Sequence, residues 1–290
     1  MLREPEWKSC FNDPPLPTIS SAPLAANRGR FLAEVFSVLY HGKTEVTPDK
    51  QLGTIKVRNH RYHHFIYNVD KLDRGKASIK HGDELTLTGP TLAPVSCPSG
   101  YLVIEVDLFC GAFKGSTRID WAPVPGDECK SLKRDFVSKD GQISVFLGMF
   151  FYATEALIEF SLSTKDSSDI CVGGRIAART SKFRDQKFSS LLFLETGQIK
   201  VHSGESIPLS RSLTVVPLGY KMFLDIRLVS DGETVSETLE FDASLDGTYH
   251  KTLPGTKCEI KAKVIWNVKH ESVGALNDRC VYSDEESDEE

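Results

Sequence analysis

Paired cysteines, long apolar runs and a surplus of basic charge are all missing from this chain of 290 residues. Its seven cysteines, Cys10, Cys97, Cys110, Cys129, Cys171, Cys258 and Cys280, are scattered, odd in number and nowhere spaced C-x-x-C. That argues against a disulfide framework or a zinc site and fits reduced thiols in the cytosol or nucleus. No apolar run reaches bilayer length, and Met1-Leu2-Arg3-Glu4-Pro5-Glu6 lacks the basic start and apolar stretch of a signal peptide, so no membrane partner is expected and the expected location is cytoplasmic or nuclear. Lys and Arg number 35 against 40 Asp and Glu, and six of the acids lie in Ser283-Asp284-Glu285-Glu286-Ser287-Asp288-Glu289-Glu290. The remainder is electrically balanced, which argues against a nucleic-acid partner, since phosphate backbones select clustered positive charge.

Catalytic signatures are missing too. There is no Gly-x-Ser-x-Gly turn, and Val172-Gly173-Gly174-Arg175 is followed by no Gly-Lys-Ser or Gly-Lys-Thr to hold phosphate and magnesium. Cys97, Cys110 and Cys171 lie in or near apolar strand-like segments and read as packed thiols. In the cluster His60-Arg61-Tyr62-His63-His64, a strand would place His60, Tyr62 and His64 on one face, but no partner acid or thiol at characteristic spacing completes a ligand set. An exposed polar strand face beside a turn is the expectation there, and no metal, cofactor or catalytic residue is assigned. Lys130, Lys133, Arg134 and Lys139 are interrupted by Asp127, Glu128, Asp135 and Asp140, so the segment from Pro125 to Gly141 reads as a solvated connector.

What is present is strand. Glu84-Leu85-Thr86-Leu87-Thr88 alternates with the period of a half-buried strand, and Gly89-Pro90 then marks a structural turn before the strand from Tyr101. Further strand signals fall at Leu52 to Arg58, Tyr62 to Asn68, Tyr101 to Phe109, Ile143 to Tyr152, Ala156 to Leu162, Val172 to Arg179, Ser189 to Glu195, Gln198 to Val201, Ile207 to Val216, Tyr220 to Val229, Ser236 to Phe241 and Lys257 to Val268. Gly or Pro stands in most of the gaps. The pattern predicts an all-β fold: one antiparallel, sandwich-like domain over residues 30–270, after a disordered Pro-rich arm at 1–29 and before a disordered acidic tail at 271–290. Phe31 to Tyr40 fits a helical face or a strand equally. One echo is visible, Thr88-Gly89-Pro90 through Gly100-Tyr101 and its strand against Ser210-Arg211-Ser212 through Gly219-Tyr220 and its strand; short patterns of this kind arise by chance in all-β chains, and chance is the favoured reading.

Several segments resemble a plant family, concentrated in grasses, that is classed as a domain of unknown function and recognised by an LTGP-centred motif. They are Glu34-Val35-Phe36-Ser37-Val38, Leu87-Thr88-Gly89-Pro90, Ile104-Glu105-Val106-Asp107-Leu108, Ala153-Thr154-Glu155-Ala156 and Ile207-Pro208-Leu209-Ser210-Arg211. The resemblance implies one all-β domain, tips Phe31 to Tyr40 toward strand, and loosely implies stress or defence, because such domains sometimes sit beside a ribosome-inactivating N-glycosidase. At Arg58-Asn59 the chain departs from the family's Arg-Asp pair. Nor is it an N-glycosidase, since Ile176-Ala177-Ala178-Arg179 has no preceding Glu and a strand-like context.

The tail is the sharpest functional signal. Ser283 and Ser287 each have a Glu three residues on, which makes them candidate sites for acidophilic kinases. The tail is expected to favour a basic partner without contributing to the fold. The function expected is a non-enzymatic interaction module with a protein partner; the alternative is a hydrolase or ligand-binding enzyme with a pocket between its sheets.

Overall fold

A computed structural model of the chain describes residues 30–47, 51, 53–59, 63–68, 78–90, 94–97, 100–109, 111–122, 128–164, 169–230, 232–255 and 258–267. The arm, the tail with Ser283 and Ser287, His60 to Tyr62, and Cys10, Cys110 and Cys280 lie outside them. The described residues form fifteen strands and no α-helix: β1 (Arg30–Gly42), β2 (Gly53–Arg58), β3 (His63–Asn68), β4 (Val95–Ser96), β5 (Tyr101–Leu108), β6 (Phe113–Asp120), β7 (Cys129–Ser138), β8 (Gly141–Thr164), β9 (Ile170–Thr180), β10 (Ser189–Val201), β11 (Leu213–Pro217), β12 (Lys221–Ser230), β13 (Glu233–Asp242), β14 (Gly247–Pro254) and β15 (Cys258–Trp266). All pairings are antiparallel, so the all-β sandwich expectation holds and Phe31 to Tyr40 is strand.

The spine is β8, whose 24 residues serve two hydrophobic cores. A seven-stranded sheet runs β14-β15-β8-β1-β4, with β7 and β11 also paired to β8; two four-stranded sheets, β3-β2-β5-β6 and β10-β9-β12-β13, cover it. One core joins Val38, Ile55, Ile66, Leu102, Ile104 and Val145, the other Ile158, Phe160, Ile176, Leu224, Val264 and Trp266. Each is built as a half-buried sheet pair should be, from alternate residues of both layers.

The two halves have the same topology. Ladders β1·β4, β1·β8, β7·β8, β2·β3, β2·β5 and β5·β6 become the ladders of the second half when seven is added to every strand number, with β8 ending one unit and opening the next. Irregular details repeat as well. Gly82 N donates to Tyr40 O and Leu85 N to Val38 O at 2.7 and 2.8 Å; Gly204 N donates to Leu162 O and Ile207 N to Phe160 O at the same distances. Both Gly82 and Gly204 have φ +89°. Thus the short echo marks a real duplication, contrary to the chance reading. Its Gly-Tyr match is one residue out of register, because Trp121 N bonds Gly100 O where Ala243 N bonds Tyr220 O.

Other expectations need correction. Glu84 to Thr88 is not a strand: Glu84 forms a lone bridge with Leu39, and the segment through Pro90 is irregular, although Leu85 and Leu87 are buried as the alternation requires. The connector from Pro125 to Gly141 contains β7, a ten-residue strand whose backbone pairs along β8 despite its charges. Strands β6 and β14 were not legible. All of β14 but Leu253 is exposed, so burial imposes no alternation on it.

Candidate functional site

Where the halves meet, β1 lies against the second half and its sequence runs Leu32-Ala33-Glu34-Val35-Phe36, an acid inside an apolar run. Glu34 is almost fully buried. Its carboxylate accepts from Ser190 Oγ, from Thr214 Oγ1 at 2.9 Å and from Val215 N at 2.6 Å. Arg211, equally buried, has Nη1 4.0 Å from that carboxylate and donates to Val35 O and Phe36 O at 2.6 Å each and to Leu191 O at 3.3 Å. Burial pushes the Glu34 carboxyl up from its usual range, against Arg211 and the three donors, and it lowers Arg211. Glu84 is likewise raised by burial and opposed by Arg175 and Arg211, so acids of the first half face bases of the second. Beside this network Phe36, Phe150, Phe183 and Phe188 pack at centroid distances of 5.2 to 6.3 Å, and Arg30 Nη2 reaches the buried Glu155 at 2.9 Å.

The carboxylate accepts from three donors of the second half, and the guanidinium donates to two carbonyls of the first half and one of the second, so both charged groups are engaged across the boundary. This constellation works as a lock between the halves.

Gly89 and Pro90 lie against β3. Gly89 does not have positive φ; what demands glycine is the backbone of β3, since a Cβ would stand 2.0 Å from Phe65 O. The hydrogen bonds Thr88 N to Ile66 O and Ser210 N to Leu192 O make Gly89 and Arg211 equivalent positions. In the second half the carbonyl equivalent to Phe65 O is Leu191 O, which accepts from Arg211 Nε. His63 and His64 face opposite ways: His63 stands edge-on to Phe65 at 5.7 Å, whereas His64 is buried, correcting the exposed face expected for it. Among the described residues no three His, Cys, Asp or Glu side chains converge as metal ligands. Cys97 is buried and its thiol pushed up to about 12; Cys171 is half-buried.

On the outer face of the shared sheet, basic side chains gather from both halves. Register places His41, Gln142 and Val137 in one row and Ser37, Phe146 and Lys133 in another. The 3-10 turn Gln186–Phe188 crosses this face, anchored by Ser37 Oγ donating to Lys187 O, with Lys187 Nζ 5.4 Å from the Phe146 ring centroid. The His41 and His81 rings are 5.4 Å apart. Burial, then His81, Lys133 and Lys187, lower His41, while Asp135 opposes them. That acid is engaged by Lys133 at 2.9 Å and Ser144 Oγ at 2.7 Å.

A duplicated antiparallel sandwich with a buried, hydrogen-bonded ionic joint between its halves defines a class of β scaffold. The model of the family described as Domain of unknown function (DUF6598) matches residues 32–264, and the chain belongs to that family. No curated protein matches. Among solved structures, the tandem C2 domains of Extended-Synaptotagmin 2 align over 88% of this chain and 97% of that one, at 12% identity and a TM-score of 0.25; the calcium-bound form gives 0.26. Scores so low carry no argument about fold or function. No helix among the described residues is long and apolar enough to cross a membrane.

Proposed function

We propose that the chain is a non-enzymatic interaction module for a protein partner, acting in the cytoplasm or nucleus, in the stress or defence setting that the family resemblance implies. The observation that supports it is the joint: the buried ionisable pair Glu34 and Arg211 bonds across the boundary between the halves, a role in holding two sandwiches together. The exposed faces instead offer mixed charge and aromatic edges, as where Arg118 lies 4.1 Å over the Tyr101 ring and Lys56 5.0 Å over Phe65. The test pairs partner capture by the full chain, followed by a binding isotherm with the purified partner, with a turnover screen on ester, phosphate and glycoside substrates. A saturable one-to-one isotherm without turnover is expected. Multiple turnover of any substrate would overturn the reading.

A further inference from the structure

We infer that the free edge of β6 pairs antiparallel with β6 of a second copy of this chain, about a two-fold axis at Thr117. That pairing joins two four-stranded sheets into one, and it goes beyond the interaction-module reading without resting on it.

Backbone direction makes the edge available. Strand β6 is the last strand of the sheet β3-β2-β5-β6, and its ladder with β5 runs without a bulge. Trp121 N donates to Gly100 O at 2.8 Å, one step beyond the pair of Tyr101 and Asp120, so that pair and every second pair after it are the ones that exchange no backbone bonds. The N–H and C=O groups of Lys114, Ser116, Arg118 and Asp120 therefore point away from β5, and all four residues are exposed.

The other long edge strands are obstructed. Thr88 N and Gly89 N bond to Ile66 O of β3, Ser210 N bonds to Leu192 O of β10, and β14 brings Pro254, which has no N–H to give. On β13 Ala243 N donates to Tyr220 O, which by the same rule turns Glu240 O outward, and Lys251 Nζ caps it at 2.6 Å. On β7 Phe151 N donates to Glu128 O, which turns Lys133 O outward, and Arg134 Nη1 caps it at 3.0 Å. Arg134 and Lys251 are equivalent in the duplication, since their partners Val145 and Ala262 pair with Val38 and Phe160. The cation that closes β13 is thus spent on β7 in the first half, and among the described residues β6 keeps no cap.

Charge selects the partner and the register. In the register centred on Thr117, Lys114 faces the second copy's Asp120, Asp120 faces its Lys114, and Ser116 faces its Arg118, as a two-fold axis requires. The neighbouring registers set Lys114 against Arg118, or Arg118 against itself, and like charges directly opposite are destabilising. Within the chain Lys114 lies 3.7 Å from Asp107 and Arg118 2.9 Å from Asp120, exposed contacts of small worth that leave Lys114 and Asp120 able to meet a second chain. On the inner side Gly115 stands opposite the second copy's Ile119, beside the half-buried Phe136 ring, which lies 3.2 Å from where a Cβ on Gly115 would stand. Strand β13 offers no such match, because its charges are Glu233, Glu237, Glu240 and Asp242.

Sedimentation of the full chain across the micromolar range, with hydrogen exchange of the β6 amides, tests the pairing. A strand edge is a small interface, so a weak monomer–dimer equilibrium is expected, with exchange at Lys114, Ser116, Arg118 and Asp120 slowing as concentration rises. Ser116→Pro removes an outward N–H and should leave the melting temperature of the dilute protein unchanged while the dimer is lost. Lys114→Asp and Asp120→Lys each set like charges opposite at both ends and should shift the protein to monomer; mixed in equal amounts they restore unlike pairs at both ends and should associate as the wild type does. A monomer at every concentration, association untouched by Ser116→Pro, or a mixture that associates no better than its components would each overturn the inference. Protection of the β6 amides that arises only with a different protein bound would also overturn it, assigning the edge to a strand of that protein.

Discussion

At Gly89 a Cβ would meet Phe65 O at 2.0 Å, and that atom is backbone in a paired strand that cannot step aside. Gly89→Ala is therefore expected to lower stability by about 1–3 kcal/mol, as overpacking does, read as a lower denaturation midpoint with an unchanged slope. An unchanged midpoint would show that β3 yields. For the equivalent Arg211, Arg211→Met would leave Val35 O, Phe36 O and Leu191 O without that donor and the buried Glu34 without its counter-charge, a loss on the order of 3–5 kcal/mol. Glu34→Gln keeps an acceptor for Thr214 and Val215 and should cost less; the double variant should cost less than the sum, since the two residues share one network. Additive losses would show no coupling. His63 gives a pH signature: burial first, then Lys56 and Arg58, hold it below 6.5, with Glu105 opposing. The unfolded chain takes the proton near pH 6.5 and the folded chain only below that, so His63 contributes fully above 6.5 and its contribution is lost as pH falls. Relative to His63→Gln, the wild type should lose stability on acidification from pH 7; a pH-independent difference would refute this.

Strand β2 and its counterpart β9 carry the same device. Gly53 at φ +134° places a would-be Cβ 2.2 Å from Asp107 O, and Gly174 at φ +120° places one 2.2 Å from Arg227 O. Five residues on, Arg58 pairs with Glu105 at 2.6 Å and Arg179 with Asp225 at 2.7 Å. Gly53→Ala and Gly174→Ala should each destabilise by more than about 1 kcal/mol and by similar amounts, measured by urea titration; a large effect at one and none at the other would mean that the repeated geometry is not a repeated constraint. These elements also show what could be read beforehand. Strands buried on one face, such as β5 and β12, were legible because burial writes alternation into Leu102, Ile104 and Val106 or Met222, Leu224 and Ile226. The duplication was visible only as Thr88-Gly89-Pro90 against Ser210-Arg211-Ser212, because a backbone repeat constrains hydrogen bonds and φ far more than it constrains side chains. Glu34 and Arg211 both lie in segments that resemble the family's, yet their meeting depends on how two sandwiches dock. The one available sign was a charge inside an apolar run, which burial tolerates only when a partner comes from elsewhere.

At the scale of the molecule the question is whether two cores melt as one. Three observations point to a single unit. Strand β8 runs unbroken through both, so fraying one half withdraws ladder partners from the other. Ala153 is paired with Arg30 of β1 and with Pro217 of β11, which ties the first strand of one half and a strand of the next to the same residue. The buried joint adds Phe36, Phe150 and Val215, apolar area that neither half could leave exposed without cost. Trp121 is buried in the first core and Trp266 in the second, so each reports its own half once the other is changed to Phe on a Trp7→Phe background. Both reporters should give the same urea midpoint and slope in the chain with Arg211 intact, as two-state unfolding requires. Arg211→Met should lower both midpoints together, because the lock belongs to neither half alone. Two separated transitions with Arg211 present would show that β8 links independent sandwiches and that the Glu34 and Arg211 network sets their orientation without sharing their stability.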